Sequence, residues 1–446
     1  MSGETKVTGL WPFDPVDDDS GLIPFPPMRR AWLHHSSGEH LREEDIETPA
    51  YVYDELVMSE YLEATRRALD PTGARLLLAM KAFSFEPGLR FATRWLHGLH
   101  ASSPFEARLA RRVFESGIVH TTVPGMREAD VSDVVEFSDR VSFNSISQWR
   151  RFGPRTLGRT SPGIRVNPGL SFVEDERYDP SARHSKLGVP IDDLAVLVLE
   201  HPSTLSGIEG LLVHNNCEST DFRQLLKVVE RLIERLHPLL QRIGWVNLGG
   251  GYLFAEADDL EPLHSAVKLL TDGYGVEVTF EPGTGIMYQA GALLATVVDI
   301  FDSGGEEIAV LDTSVSHAPE VLEFQFVPEV VGGSGGCHPY VLAGASCLPS
   351  DTFGRHCMTD SLKVGSRVTI TEVGAYSLVK ASWFNGLALP NVYSRAPDGQ
   401  ITHHKRFSYE DFLAFSGGTD EDHRDFPADT RPSDGAALGR STPGHS

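Results

Sequence analysis

Eight short apolar runs punctuate residues 75–281, each ending in a polar or glycine cluster: RLLLAM, GLHASS, IVHTTV, RVSFNS, GIRVNP, GLLVHN, WVNLGG and VEVTFE. Short, almost continuous apolar runs suit strands buried on both faces. Between them the period lengthens. FEARLARRVFESG and DFRQLLKVVERLIERLHPLLQRI repeat apolar residues every three or four positions, which predicts amphipathic helices. Strand and helix alternating in this way predict an α/β fold, a (β/α)8 TIM barrel, whose chemistry sits at the carboxyl ends of its strands. Those ends hold Lys81, Ser102, Ser103, Asn144, Arg165, His214, Gly249, Gly250, Gly251 and Glu281.

After Gly291 the alternation stops. ALLATVVDIF, EIAVLDT, RVTITEV and YSLVKASWFNG are short β-rich stretches broken by glycine, with no long amphipathic helix among them, and predict a second, mostly β domain. The chain has 446 residues, and single cores divide beyond roughly 250–300. The expected division is an amino-terminal extension over 1–47, the barrel over 48–290, the β domain over 291–415 and a polar, disordered tail over 416–446. TPAYVYDE at 48–55 precedes the first barrel unit and is also a candidate member of the second domain.

A formal net charge of −23 argues against a nucleic-acid surface and favours cationic ligands. No apolar stretch approaches ~18 residues, and no basic region followed by an apolar run opens the chain. A cytoplasmic protein without membrane contact is expected. Cys217, Cys337, Cys347 and Cys357 are too few and scattered for a disulfide framework. The pairs Cys337-His338 and His356-Cys357 lack the spacing of a zinc site, so no metal is expected.

Lys81 closes the first run, and burial there would lower its amine pKa and make it a nucleophile toward an aldehyde. A surface lysine just past a strand is the alternative. Gly249–Gly251 after WVNL could let backbone N–H groups cradle a phosphate, or could be a plain tight turn. Glu281, in FEPG, could hold a pyridine nitrogen protonated or simply cap its strand. His214 could stack on a flat cofactor or be a satisfied core histidine. Together the four are the parts of a pyridoxal-phosphate site.

The motifs TPAYVYDE, LLLAMKAFS, HASSPFEARL, FNSISQW, IRVNPG, YDPSARHSKLG, HNNCE, WVNLGGG, FEPG, LDTSVSHAPEVLE, GASCLPSD and GAYSLVKASWFNG run in order from Thr48 to Val392. Through them the chain resembles the fold-type III pyridoxal-phosphate decarboxylases of the alanine racemase and ornithine/diaminopimelate decarboxylase superfamily, most closely the carboxynorspermidine (carboxyspermidine) type. The resemblance implies that Lys81 attaches the cofactor, His214 stacks on its ring, Gly249–Gly251 hold its phosphate, and Glu281 pairs with its ring nitrogen beside Arg165. It also implies a homodimer with shared sites. Cys347, Asp351 and Tyr376 then reach the site across the interface or cover the phosphate, with Cys347 as proton donor.

Three positions depart from the family. Thr284 stands where a charged residue follows EPG, Leu348 replaces an acid after the cysteine, and Glu320 replaces an aspartate. Leu348 cannot bind a distal amine. Glu218, Glu320 and Glu323 are therefore the acids expected to meet the amines of a longer substrate, a carboxylated polyamine. The alternatives are decarboxylation of diaminopimelate, ornithine, lysine or a specialised-metabolite precursor. Less expected are a racemase, which sets an arginine against the ring nitrogen, and a non-catalytic pyridoxal-phosphate-binding protein, which is a single barrel.

Overall fold

The computed structural model describes residues 46–418, apart from 174 and 176. The expected extension, save its last two residues, and the expected tail from residue 419 lie outside the described residues. The chain opens with β1 (Ala50–Asp54), which leads directly into a helix over Glu55–Leu69. Asp54 turns one into the other: its Oδ1 accepts the Leu56 and Val57 N–H groups at 2.9 and 3.1 Å.

Barrel strands follow as β2 (Arg75–Ala79), β3 (Gly98–Ala101), β4 (Ile118–Thr122), β5 (Arg140–Phe143), β6 (Ser161–Asn167), β8 (Gly210–Val213), β9 (Trp245–Asn247) and β10 (Glu277–Phe280). The short β7 (Val189–Pro190) pairs only with β6. Every barrel pairing is parallel, and β10–β2 and β5–β6 contacts close the ring. The eight apolar runs therefore form the eight barrel strands.

At the amino end of the barrel Trp245 fills the interior. Room comes from Gly163 and Gly210, where a Cβ would lie 2.4 and 2.0 Å from its ring. The same floor is tied by Glu277, which meets Arg75 at 2.8 Å and Arg140 at 2.6 Å. The expected helices are present as Pro104–Val113 and Phe222–Leu240. The second leaves helical geometry at Leu236 (φ −123°, ψ 18°), just before Pro238, whose ring cannot supply the N–H that an unbroken helix needs.

The strands β11 (Gly291–Ser303), β12 (Glu306–Leu311), β13 (His338–Ala343), β14 (Thr352–Met358), β15 (Arg367–Ile370), β16 (Asn391–Arg395) and β17 (Ile401–Lys405) form a second sheet with β1. Its order is β14-β13-β12-β11-β1-β16-β17, with β15 added on β11. β1 runs antiparallel to β11 and parallel to β16, so residues 50–54 belong to this sheet and the expected barrel span of 48–290 starts one strand too early.

YSLVKASWFNG is a second correction, because it forms turns and a short 3-10 helix over Phe384–Gly386 rather than a strand. Tyr376 and Asn385, both at φ +57°, interrupt any extended run there. The Tyr376 N–H instead donates to the Ala82 carbonyl at 2.8 Å, next to Lys81. A separate unit begins at Phe407 and contains a helix over Tyr409–Phe415, capped by Ser408. No helix among the described residues is long and apolar enough to cross a membrane.

Candidate active site

A cavity of about 660 Å³ lies at the carboxyl ends of the barrel strands and gathers most of the expected residues: Lys81, Arg165, His214, Gly250, Gly251, Glu281, Glu218, Glu320, Glu323 and Tyr376. That volume suits a cofactor with a small substrate. Lys81 follows β2 by two residues and extends its side chain into the cavity. Lys81 is exposed to the open cavity, yet the protein packed around it displaces enough water to hold its ammonium below the ordinary lysine range, Glu281 opposing that shift and Arg165 reinforcing it.

Glu281, just past β10, is 6% exposed. Burial pushes its carboxyl up to about 7, against the pull of Asn247, Lys81 and Arg165. Asn247 Nδ2 donates to Glu281 Oε2 at 2.7 Å, and His100 Nε2 lies 3.4 Å from the same oxygen. Arg165 is buried on β6, which brings its own pKa down to about 10. His214 accepts the Gly250 N–H on Nδ1 at 3.0 Å, so a neutral ring carries its proton on Nε2. Burial, then Lys81 and Arg165, keep that ring neutral.

The three glycines divide their work. Gly249 does not line the cavity: its N–H donates to Asn247 Oδ1 at 2.8 Å and its carbonyl accepts the Glu281 N–H at 2.8 Å. Gly250 and Gly251 do line it, and a Cβ would meet the Glu281 carbonyl oxygen at 2.5 Å or the Asn216 carbonyl oxygen at 2.1 Å. Gly251 also sits at φ +84°, which glycine adopts without strain. Thr284, expected as a lone hydroxyl, faces the cavity and hydrogen-bonds Tyr376.

The acids do not stand alone. Lys380 Nζ meets Glu323 Oε2 at 2.5 Å and Glu320 Oε1 at 3.4 Å, with the Tyr376 and Phe324 rings 5.1 and 5.7 Å away. Two of the three expected cation-binding acids thus have a resident counter-ion. Glu218, at φ +51°, has its carboxyl raised to about 7 by burial and by Glu320, Glu256 and Glu372.

Cys347 and Asp351 are not brought into this cavity by their own chain. Cys347 is exposed, and its N–H donates to Asn385 Oδ1 at 2.7 Å. Asp351 is buried and turned inward: its two carboxylate oxygens accept the Val315 and Ser346 N–H groups at 2.8 and 3.0 Å, so within the chain it shapes the loop that carries Cys347. The cysteine that does line the cavity is Cys217, itself exposed to it, with a thiol held above the ordinary range by the surrounding protein and by Glu218. The sequence reading assigned no role to His100, His120, Asn247, Cys217 or Lys380. A visible signal existed for three of them, as His100, His120 and Asn247 are polar residues inside otherwise apolar strands.

The family described as pyridoxal-dependent decarboxylase, C-terminal sheet domain, matches residues 50–374. The chain belongs to the pyridoxal-dependent decarboxylases. Among its relatives, a carboxynorspermidine/carboxyspermidine decarboxylase from Herminiimonas arsenicoxydans is 30% identical over 371 residues, 83% of this chain and 99% of that protein. A carboxyaminopropylagmatine decarboxylase from Synechocystis is 32% identical over 382 residues, 84% of this chain and 96% of that protein. The crystal structure of a carboxynorspermidine decarboxylase from Campylobacter jejuni complexed with norspermidine superposes with a TM-score of 0.75 at 29% identity, covering 83% of this chain and 100% of that one.

The cavity of this pyridoxal-dependent decarboxylase fits the cofactor that its family uses. Gly250 and Gly251 line it without side chains, the Gly250 N–H being given to His214, Lys81 offers the amine, and Arg165 Nε and His100 Nδ1 are buried without a partner. Among the described residues no group of three or more His, Cys, Asp or Glu could hold a metal ion.

Glu218 yields a test of this electrostatic setting. Its carboxyl keeps a proton up to about 7 in the folded chain but releases it near 4.5 when unfolded, so ionisation costs stability as pH rises through that window. Glu218→Gln, measured without ligand, should raise Tm over the wild type by about 1–3 °C at pH 8 and leave it nearly unchanged at about pH 4, below the unfolded value. An equal gain at both values would show that Glu218 does not titrate there.

Proposed function

We propose that this protein binds pyridoxal 5'-phosphate on Lys81 and decarboxylates an amino acid with a long cationic chain, of the carboxynorspermidine or carboxyspermidine kind. The observation that carries the reading is one cavity holding Lys81, His214 and Glu281 together with Glu218, Glu320 and Glu323. The first three are the groups an aldehyde-bearing pyridine needs. The acids complement protonated amines, and the Campylobacter jejuni relative is complexed with norspermidine.

When bound, the cofactor supplies an electron sink for the pair left as carbon dioxide departs. The protein does the rest. Lys81, its ammonium destabilised by enclosure, gives up a proton readily and presents a nucleophilic amine. Glu281 holds the ring-nitrogen proton, with Arg165 nearby as counter-charge. His214 would offer the ring a flat neutral face, its orientation held by Gly250. Gly250 and Gly251 would hold the phosphate, and the hydrogen-bonded pair Tyr376 and Thr284 lines the same cavity. Glu218 takes a substrate ammonium, and Glu320 and Glu323 share theirs with Lys380.

Cys347 is the proton donor, entering the cavity of a second copy in a homodimer, because within its own chain it stands exposed outside the cavity. Asp351 supports it by organising the loop. We place the enzyme in the cytoplasm, a reading supported by four cysteines that are all free. A substrate ending in a guanidinium is the second reading, favoured by the likeness to the Synechocystis carboxyaminopropylagmatine decarboxylase.

Purified enzyme should prefer a carboxylated polyamine, amine- or guanidinium-ended, over ornithine, lysine and diaminopimelate by at least about tenfold in kcat/KM, the worth of one charge-assisted contact. Preference for any of the three shorter amino acids would refute the substrate and leave the decarboxylation standing. Lys81→Ala and Cys347→Ala variants, each nearly inactive, should regain activity on mixing, up to about a quarter of the wild type, since hybrid dimers hold one intact site. No recovery, with subunit exchange confirmed, would place both residues in a site within one chain.

A further inference from the structure

Asn247, at the end of β9, is completely buried and does not line the cavity, yet its side chain makes a hydrogen bond to each of three groups. Its Oδ1 accepts the Gly249 N–H at 2.8 Å, which decides the orientation of the amide. Nδ2 then faces Glu281 Oε2 at 2.7 Å and His120 Nδ1 at 2.9 Å, with one N–H for each. A donor toward Nδ1 leaves the proton of a neutral His120 on Nε2, which donates to Ser142 Oγ at 2.8 Å. Trp245 packs edge-on against the His120 ring at 5.0 Å and holds it in place. The chain of contacts from Ser142 through His120 and Asn247 ends on Glu281 with no donor or acceptor in conflict.

We propose that Asn247 is a positioning residue that anchors one carboxylate oxygen of Glu281, leaving the other for the cofactor, and ties that anchor to the glycine turn. The inference rests on the reading of Glu281 as the partner of the ring nitrogen, and deepens it. Four elements present polar groups to Glu281: Lys81 after β2, His100 from β3, Arg165 from β6 and Asn247 from β9. His100 is neutral and lies 3.4 Å away, with Thr122 Oγ1 nearer at 3.2 Å. Lys81 and Arg165 act as charges that a bound cofactor would redirect. Asn247, out of the cavity, is the contact that stays.

The same amide holds the Gly249 turn, and the next two residues, Gly250 and Gly251, line the cavity. Losing Asn247 should therefore disturb the acid and the anion cradle together. In the ligand-free protein the protonated-carboxyl infrared band of Glu281 can be assigned by its loss in Glu281→Gln. Asn247→Leu should move the titration midpoint of that band upward from about 7 by at least about one pH unit, because a donor to the ionised form is gone. With cofactor, kcat should fall by about tenfold or more with KM within about threefold, and the pH profile should follow the infrared midpoint.

A polarity swap covers the case in which Asn247→Leu fails to fold. Asn247→Asp sets acceptor against acceptor, and adding Glu281→Gln restores a donor, so the double variant should melt higher than Asn247→Asp alone. An infrared midpoint that does not move, or single changes that simply add, overturns the proposal. A displaced midpoint with near-wild-type turnover in Glu281→Gln keeps it while removing the ring-nitrogen reading.

Discussion

A carboxyl group at 6% exposure must keep its proton or be compensated, and Glu281 governs the barrel mouth for that reason. Asn247, Lys81 and Arg165 all favour its ionised form, and burial still holds it at about 7. The surrounding polar residues follow from this balance. Burial holds His100, His120 and His214 neutral, with Lys81 and Arg165 adding to the effect at His100 and His214. Neutral imidazoles with assigned tautomers are what a site needs if its rings are to act as walls and hydrogen-bond partners rather than as charges.

The second sheet is part of the same device. Among the described residues the chain enters through that sheet with β1, passes through the barrel, and returns through β11. A later segment docks beside Lys81 through Tyr376 N–H and the Ala82 carbonyl, and Tyr376 also hydrogen-bonds Thr284. A few residues further on, Lys380 lies on Glu320 and Glu323. Glu320 is partly buried and Glu323 exposed, and the Lys380 ammonium between them offsets the repulsion of the two carboxylates.

The barrel was legible because each strand is buried on both faces and so reads as an uninterrupted apolar run, while the helices between carry a clear 3.6-residue period. Strand ends then located Lys81, Arg165, His214 and Glu281, since chemistry in such barrels gathers there. What stayed hidden depended on pairing across long sequence distances. Nothing local in TPAYVYDE reveals that β1 pairs with β11, some 240 residues later. YSLVKASWFNG has strand-like composition, but Tyr376 and Asn385 take left-handed conformations that tertiary contacts impose. Asp351 was expected at the site only through the family resemblance, and the fold adds that its oxygens accept the Val315 and Ser346 N–H groups within the chain.

The central claim is that Lys81, made nucleophilic by enclosure opposite Glu281, carries the cofactor. Reducing the pyridoxal-phosphate-loaded protein with borohydride and mapping the modified peptide by mass spectrometry tests it most directly. The account predicts a stable pyridoxyl group on Lys81 alone, with the visible absorbance abolished, and no such group in Lys81→Ala. A label on another lysine, or an unaltered spectrum in that variant, would contradict it.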